Sequence, residues 1–233
     1  AASTVGSSSR VRARKAGSTV RVVAFAVTCR PYACARFRPL LPVGQHGDGQ
    51  RFGSSLASAP TARKDVGVPT LVLLRHAKSA WPPGVPDLLR PLNDRGRKDA
   101  PAVGQLLAAR APLDLALVSP ANRTQQTWDA VASELQRPPT AGLDPRIYEA
   151  DVSDLLDVLA GVPAVSERVI LVGHNPGTEL LAQLLCRPSQ DGSYQSMIEK
   201  FPTSGLAEIR WQGDWTEIAP NTAELVSFDV PRG

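Results

Sequence analysis

The distribution of apolar and polar positions divides this chain near residue 69. From there onward, short continuous apolar runs alternate with segments that carry helix signals, the pattern of an α/β sheet. Residues 70–74 predict a compact buried strand, and 94–110 a helix capped by Asn93 or Asp94, with Pro101 inside it able to kink or divide it. A second strand is predicted over 113–118, followed by a helix over 121–135 that ends before Pro138-Pro139, then a short amphipathic helix over 153–160 capped by Ser153. Residues 168–172 give a third strand and 177–186 a further helix. Residues 205–211 and 223–230 read as two β segments forming a sheet edge or hairpin, because Gly213-Asp214 and Pro220-Asn221 supply turn residues. In an open, mostly parallel sheet, residues just past the carboxyl ends of strands converge on one crevice, so positions almost a hundred residues apart can share a site.

Residues 1–68 show no sustained apolar periodicity. They hold eleven of the chain's 26 Lys and Arg and only two of its 22 acids, Asp48 and Asp65, which leaves fifteen basic against twenty acidic residues in 69–233. The high isoelectric point therefore belongs to the extension, and no nucleic-acid partner is expected for the folded part. The apolar stretch 20–28 is too short for a membrane span, which needs about 20 residues, and as a secretory signal it is interrupted by Arg21 and followed by Arg30. No membrane association is expected. The extension reads as a disordered basic segment, a targeting segment, or a reading frame extended upstream of its start, since the chain begins with Ala and its only methionine is Met197. The expected compartment is the cytoplasm, or an organelle if residues 1–68 are a transit peptide. Cys29, Cys34 and Cys186 give neither a disulfide framework nor a metal spacing. With 233 residues and 42% hydrophobic content, the chain has enough for one full core beside the extension.

Of three histidines, two follow predicted strands: His76 in Leu73-Leu74-Arg75-His76-Ala77 and His174 in Val172-Gly173-His174-Asn175-Pro176. A strand ending in Arg-His aims an imidazole and a guanidinium at one small anion, the equipment for attacking a phosphoryl group and holding its oxygens. Arg123 lies in the first turn of a predicted helix, where free backbone amides also favour an anion. Gly173 and Pro176 suit a backbone drawn tightly around a ligand.

Together these segments resemble the histidine phosphatase superfamily, and within it the small SixA-type phosphohistidine phosphatases. Arg75-His76-Ala77 matches the family's strand-ending Arg-His pair. Ser119-Pro120-Ala121-Asn122-Arg123-Thr124-Gln125-Gln126-Thr127 matches its segment with the second arginine, and Val172 to Pro176 its second histidine. The stretch 87–96, with Arg90-Pro91-Leu92 inside it, matches a fourth element that begins with Asp87 and ends with Gly96. The resemblance covers residues 69–232. It implies a three-layer α/β/α, phosphoglycerate-mutase-like domain with a mostly parallel sheet. It also implies a metal-independent, cofactor-free phosphatase in which His76 is the nucleophile, while Arg75, Arg123, His174 and Asn175 hold the phosphoryl oxygens.

The general acid stays open between Glu149, Asp87 and none. Glu149 lies after the second arginine, where phosphomutase-like relatives carry theirs, yet it equally reads as a solvated acid near a helix start. Asp87 equally reads as a loop residue supporting Arg90. A missing acid would favour the labile P–N bond of phosphohistidine on a protein over a phosphate ester. The competing expectations are a broad phosphomonoesterase acting on a small phosphorylated metabolite, with Glu149 as acid, and a non-catalytic phosphoprotein-binding module.

Overall fold

A computed structural model describes residues 68–233. The expectations for the basic extension, including the stretch 20–28, Cys29 and Cys34, lie outside the described residues. Six strands form one sheet: β1 (Thr70–Arg75), β2 (Leu115–Val118), β3 (Ala141–Leu143), β4 (Arg168–Gly173), β5 (Leu206–Arg210) and β6 (Glu224–Asp229), in the order β3-β2-β4-β1-β5-β6. The first four run parallel, whereas β5 pairs antiparallel with β1 and β6 antiparallel with β5. Five helices accompany them: α1 (Asp94–Ala108), α2 (Asn122–Ala132), α3 (Val152–Ala160), α4 (Gly177–Leu185) and α5 (Gly192–Glu199).

The apolar runs of β1 and β4 are continuous because both faces of the sheet are covered. Leu71 and Leu73 of β1, with Val169 and Leu171 of β4, pack against Leu155 and Leu159 of α3, Leu181 and Leu185 of α4, and Met197 of α5. The alternate residues Val72, Leu74, Ile170 and Val172 pack on the opposite face against Val103 and Leu107 of α1 and Trp128 and Val131 of α2. This is the expected three-layer α/β/α arrangement. No helix among the described residues is long and apolar enough to cross a membrane.

Most predicted elements appear with shorter ends, and one strand and one α-helix go unpredicted. Strand β3 has only three residues, one of them Gly142, and α5 buries only Tyr194 and Met197, so neither has an apolar period to detect. Helix α1 starts under Asn93, whose side chain accepts from the Gly96 amide at 2.9 Å, and it runs through Pro101 unbroken. The cap of α3 is corrected from Ser153 to Asp151. The Asp151 carboxylate accepts from the Asp154 amide at 3.0 Å and the Asp154 carboxylate from the Asp151 amide at 3.1 Å, a reciprocal pair that a carboxylate at both positions makes possible. The turn residues Gly213 and Asn221 both have positive φ, 112° and 57°, in the segment between β5 and β6.

Candidate active site

Strand order builds the site. β1, β4 and β2 are neighbours in register, with Arg75 opposite Gly173 and Val118 opposite Val172. The next amides continue the ladder, His76 to the Gly173 carbonyl and Ser119 to the Val172 carbonyl, both at 3.1 Å. Three chain segments therefore leave the sheet side by side at its carboxyl end, carrying His76, His174 and Ser119. The two imidazole rings lie 5.1 Å apart, centroid to centroid.

His76 is almost fully buried, and its Nδ1 lies 2.7 Å from the Ala77 carbonyl. A carbonyl only accepts, so Nδ1 carries the proton and a neutral ring keeps its lone pair on Nε2. Burial pushes the ring down to about 4. The Ala77 bond opposes that, and the nearby guanidinium groups of Arg123, Arg75 and Arg90 lower it further. His174 is held down to about 3, first by burial, then by His76, Arg123 and Arg75, against the pull of Asp87 in the other direction. Its Nε2 lies 2.8 Å from Ser119 Oγ, while Nδ1 is buried without a partner.

The two arginines are fixed differently. Arg75 donates from Nη1 to the Phe201 carbonyl at 2.7 Å, while its Nε is buried and unpartnered. Burial lowers its pKa, and Glu179 opposes that. Arg123 is buried and donates to Asp87 twice, from Nη1 to the carbonyl at 2.7 Å and from Nη2 to the carboxylate at 2.9 Å. Other residues of its segment hold the frame. Thr127 Oγ1 accepts from the Ala77 amide, just after His76, and Gln126 Oε1 accepts from the Leu92 amide.

Asp87 does support Arg90, whose Nη1 reaches its carboxylate at 2.6 Å, and it also accepts from Arg123 and from the Tyr148 hydroxyl at 2.9 Å. Partial burial raises its pKa. The bonds from Arg90, Tyr148 and Arg123 overcome this and bring it to about 2. Glu149 is exposed, adopts φ 55°, and lines the same cavity of about 410 Å³ as Asp87, Arg123, His174, Asn175 and Leu180. The Asn175 amide donates to Glu179 at 2.8 Å and to the Phe201 carbonyl at 2.9 Å, which commits its donors to the protein and leaves Oδ1 buried and unpartnered. Gly173 is needed for packing rather than for a ligand, since a Cβ there would stand 2.8 Å from Thr178 Oγ1.

Ser119 and Tyr148 join the site without having been singled out from the sequence. Ser119 is fully buried beside His174, and the Tyr148 ring stands edge-on to His174 at 5.7 Å. Ser119 had a signal in its position directly after a strand; Tyr148 had only its place next to Glu149. A neutral nucleophilic nitrogen, two guanidinium groups and a second imidazole beside them make a site suited to an anion that accepts a nucleophile.

A family model described as the histidine phosphatase superfamily, branch 1, matches residues 71–158. An uncharacterised protein of Mycobacterium tuberculosis is 38% identical over 162 residues, covering 68% of this chain and 100% of its own length. The solved structure of a provisionally assigned phosphohistidine phosphatase SixA from Nakamurella multipartitia is 30% identical, with a TM-score of 0.63 over 71% of this chain and 97% of that one. A SixA structure of the same provisional assignment from Agrobacterium tumefaciens is 31% identical, with a TM-score of 0.59 over 70% and 98% of the two chains.

Proposed function

The chain belongs to the histidine phosphatase superfamily, and from that premise we propose that this phosphatase removes the phosphoryl group from phosphohistidine on a protein, by way of a phosphohistidine intermediate on His76. The Nε2 lone pair of neutral His76 attacks phosphorus in line. The bond from phosphorus to the substrate imidazole breaks, its electron pair returns to that nitrogen, and water supplies the proton. Water then attacks the phosphorus held on His76, and the P–N pair returns to Nε2 as phosphate leaves. Arg75, Arg123 and His174 hold the equatorial oxygens through both steps, using charge-assisted and neutral N–H donors. Asn175 acts from behind, bridging Glu179 and the Phe201 carbonyl that also receives Arg75.

One observation carries the choice of substrate: three donors hold Asp87 down to about 2. A carboxyl that far below neutrality has no proton to give an alkoxide leaving group. Transfer from one imidazole nitrogen to another needs little such help, because nucleophile and leaving group are alike. A second reading, a broad phosphomonoesterase, is favoured by Glu149, whose left-handed backbone sits at the cavity edge where an acid is useful.

The deciding experiment compares the full chain with its His76→Ala variant on a histidine-phosphorylated protein and on a panel of phosphate monoesters. A His76-dependent preference for the phosphohistidine protein is expected. Preference for a monoester selects the second reading, and binding without turnover of either substrate leaves only a binding module.

A further inference from the structure

We propose that the loop over residues 80–89 is a docking surface for the protein that carries the phosphohistidine, with Trp81, Leu88 and Leu89 as its apolar contacts; this rests on the phosphohistidine reading above. Trp81 is 74% exposed and Leu89 57%, and Leu88 and Val85 are open to solvent beside them. Large apolar side chains at such exposure, gathered on one segment, mark an interaction site rather than a core.

The loop that carries them is held in place. Three prolines inside it, Pro82, Pro83 and Pro86, and Pro91 just after it restrict it. The Arg90 guanidinium lies 3.0 Å from the centroid of the Trp81 ring and is itself fixed by the Ala80 carbonyl, Ser79 Oγ and Asp87. Asn122 Nδ2 ties the Leu89 carbonyl to α2 at 3.1 Å. An aromatic ring presented to water on a frame already ordered loses little freedom on binding, which is the condition under which a Trp becomes an interface anchor.

The patch meets the cavity beside His174 through Arg90, which lies over Trp81 and bonds Asp87, but does not line it. Asp87, the residue before Leu88, is on the cavity wall, whereas Trp81, Leu88 and Leu89 are not. A small phosphate ester in the cavity leaves these three side chains in water. On this proposal, a protein that lowers a phosphorylated histidine into the same cavity lays its neighbouring surface over them and over Leu180, which lines the cavity and is 48% exposed. Exposed acids Glu149 and Asp151 flank this entrance. The fitting partner therefore shows apolar residues around its phosphohistidine and a basic side chain within reach of these carboxylates.

The test uses the full chain and two separate variants, Trp81→Ala and Leu89→Ser. Each is assayed on a small folded protein phosphorylated by phosphoramidate on a surface histidine, and on free phosphohistidine. The expected result is a rise in KM of about tenfold on the protein substrate, with kcat/KM on free phosphohistidine within about twofold of the parent. Equal losses on both substrates overturn the inference, because the side chains then only support the loop. No loss on either also overturns it. A parent chain that hydrolyses phosphate monoesters but neither phosphohistidine substrate overturns the substrate reading itself, and the docking surface with it.

Discussion

In the proposed mechanism, a backbone carbonyl selects which nitrogen of His76 attacks. Because the Ala77 carbonyl takes Nδ1–H, the lone pair is fixed on Nε2, and burial keeps the ring neutral until the pH falls to about 4. The pH profile of kcat/KM, which reports the free enzyme, should therefore keep its acid limb near pH 4 on an aryl phosphate, after correction for the substrate's own ionisation. A limb near 6.5 would mean a solvated histidine. The same burial sets an acid limit on stability. Unfolded histidines bind protons near pH 6.5, whereas His76 and His174 do so only at about 4 and about 3 when folded. The unfolded state thus binds more protons as pH drops below about 6.5, and stability falls with it. The urea midpoint should be lower at pH 5 than at pH 7, and His76→Asn should flatten that dependence. Arg123 is expected to act on transition-state charge. Arg123→Ala should lower kcat on a phosphohistidine protein by roughly 10²- to 10³-fold, the size of a lost oxyanion donor, while the circular dichroism spectrum stays that of the parent.

At the scale of the element, legibility in the sequence followed burial. β1 and β4 were readable because every position from Leu71 to Leu74 and from Val169 to Val172 is buried, and the residues that follow them are the two histidines. β3 and α5 were not, since a three-residue edge strand and a helix with two buried side chains leave no period. The site divides the same way. His76, His174 and Arg123 stand at strand and helix ends that the pattern marks, whereas Tyr148 follows a single 3₁₀ turn, Pro145–Ile147, and meets the site through a long-range bond to Asp87. The cap of α3 was misread because Ser153 and Asp151 are both good capping residues, and only geometry shows that Ser153 Oγ donates to Asp151 at 2.8 Å instead. Asp151→Ala should thus cost about 1 kcal/mol, a drop in Tm of about 3 °C for a domain of this size, whereas Ser153→Ala should cost less. Gly96 has a similar hidden reason: α1 begins against the backbone of Lys78, whose carbonyl also takes the Asn93 amide at 2.9 Å, and a Cβ at residue 96 has no room there. That close approach anchors the loop after His76 to the helix that follows it.

Across the whole molecule, chemistry and cohesion rest on different side chains of one sheet. The histidines and arginines of the pocket follow the carboxyl ends of β1, β2 and β4. A largely buried ion cluster instead gathers Arg168 at the start of β4 and Arg110 between α1 and β2 around Glu208 of β5, which lies opposite Val72 in mid-sheet, while Asp229 of β6 takes Arg110 from the other side. Glu208 is 8% exposed and takes Arg168 at 2.9 Å and Arg110 at 3.0 Å, so it joins the antiparallel edge β5-β6 to the parallel half of the sheet. Its removal leaves Arg168, itself 6% exposed, with an uncompensated charge, and breaking a buried pair from one side costs about 3–5 kcal/mol. Glu208→Ala should accordingly lower Tm by about 10 °C. Because none of these four side chains lines the pocket, kcat/KM measured well below the new Tm should stay within about twofold of the parent. A variant that loses activity at low temperature in proportion to its stability would show instead that the β5-β6 edge tensions the site, which it touches through the segment 201–205 where the Arg75 and His76 carbonyls receive the Ser204 amide. Separate responses of Tm and kcat/KM would assign that segment's hold on Arg75 to its local hydrogen bonds alone.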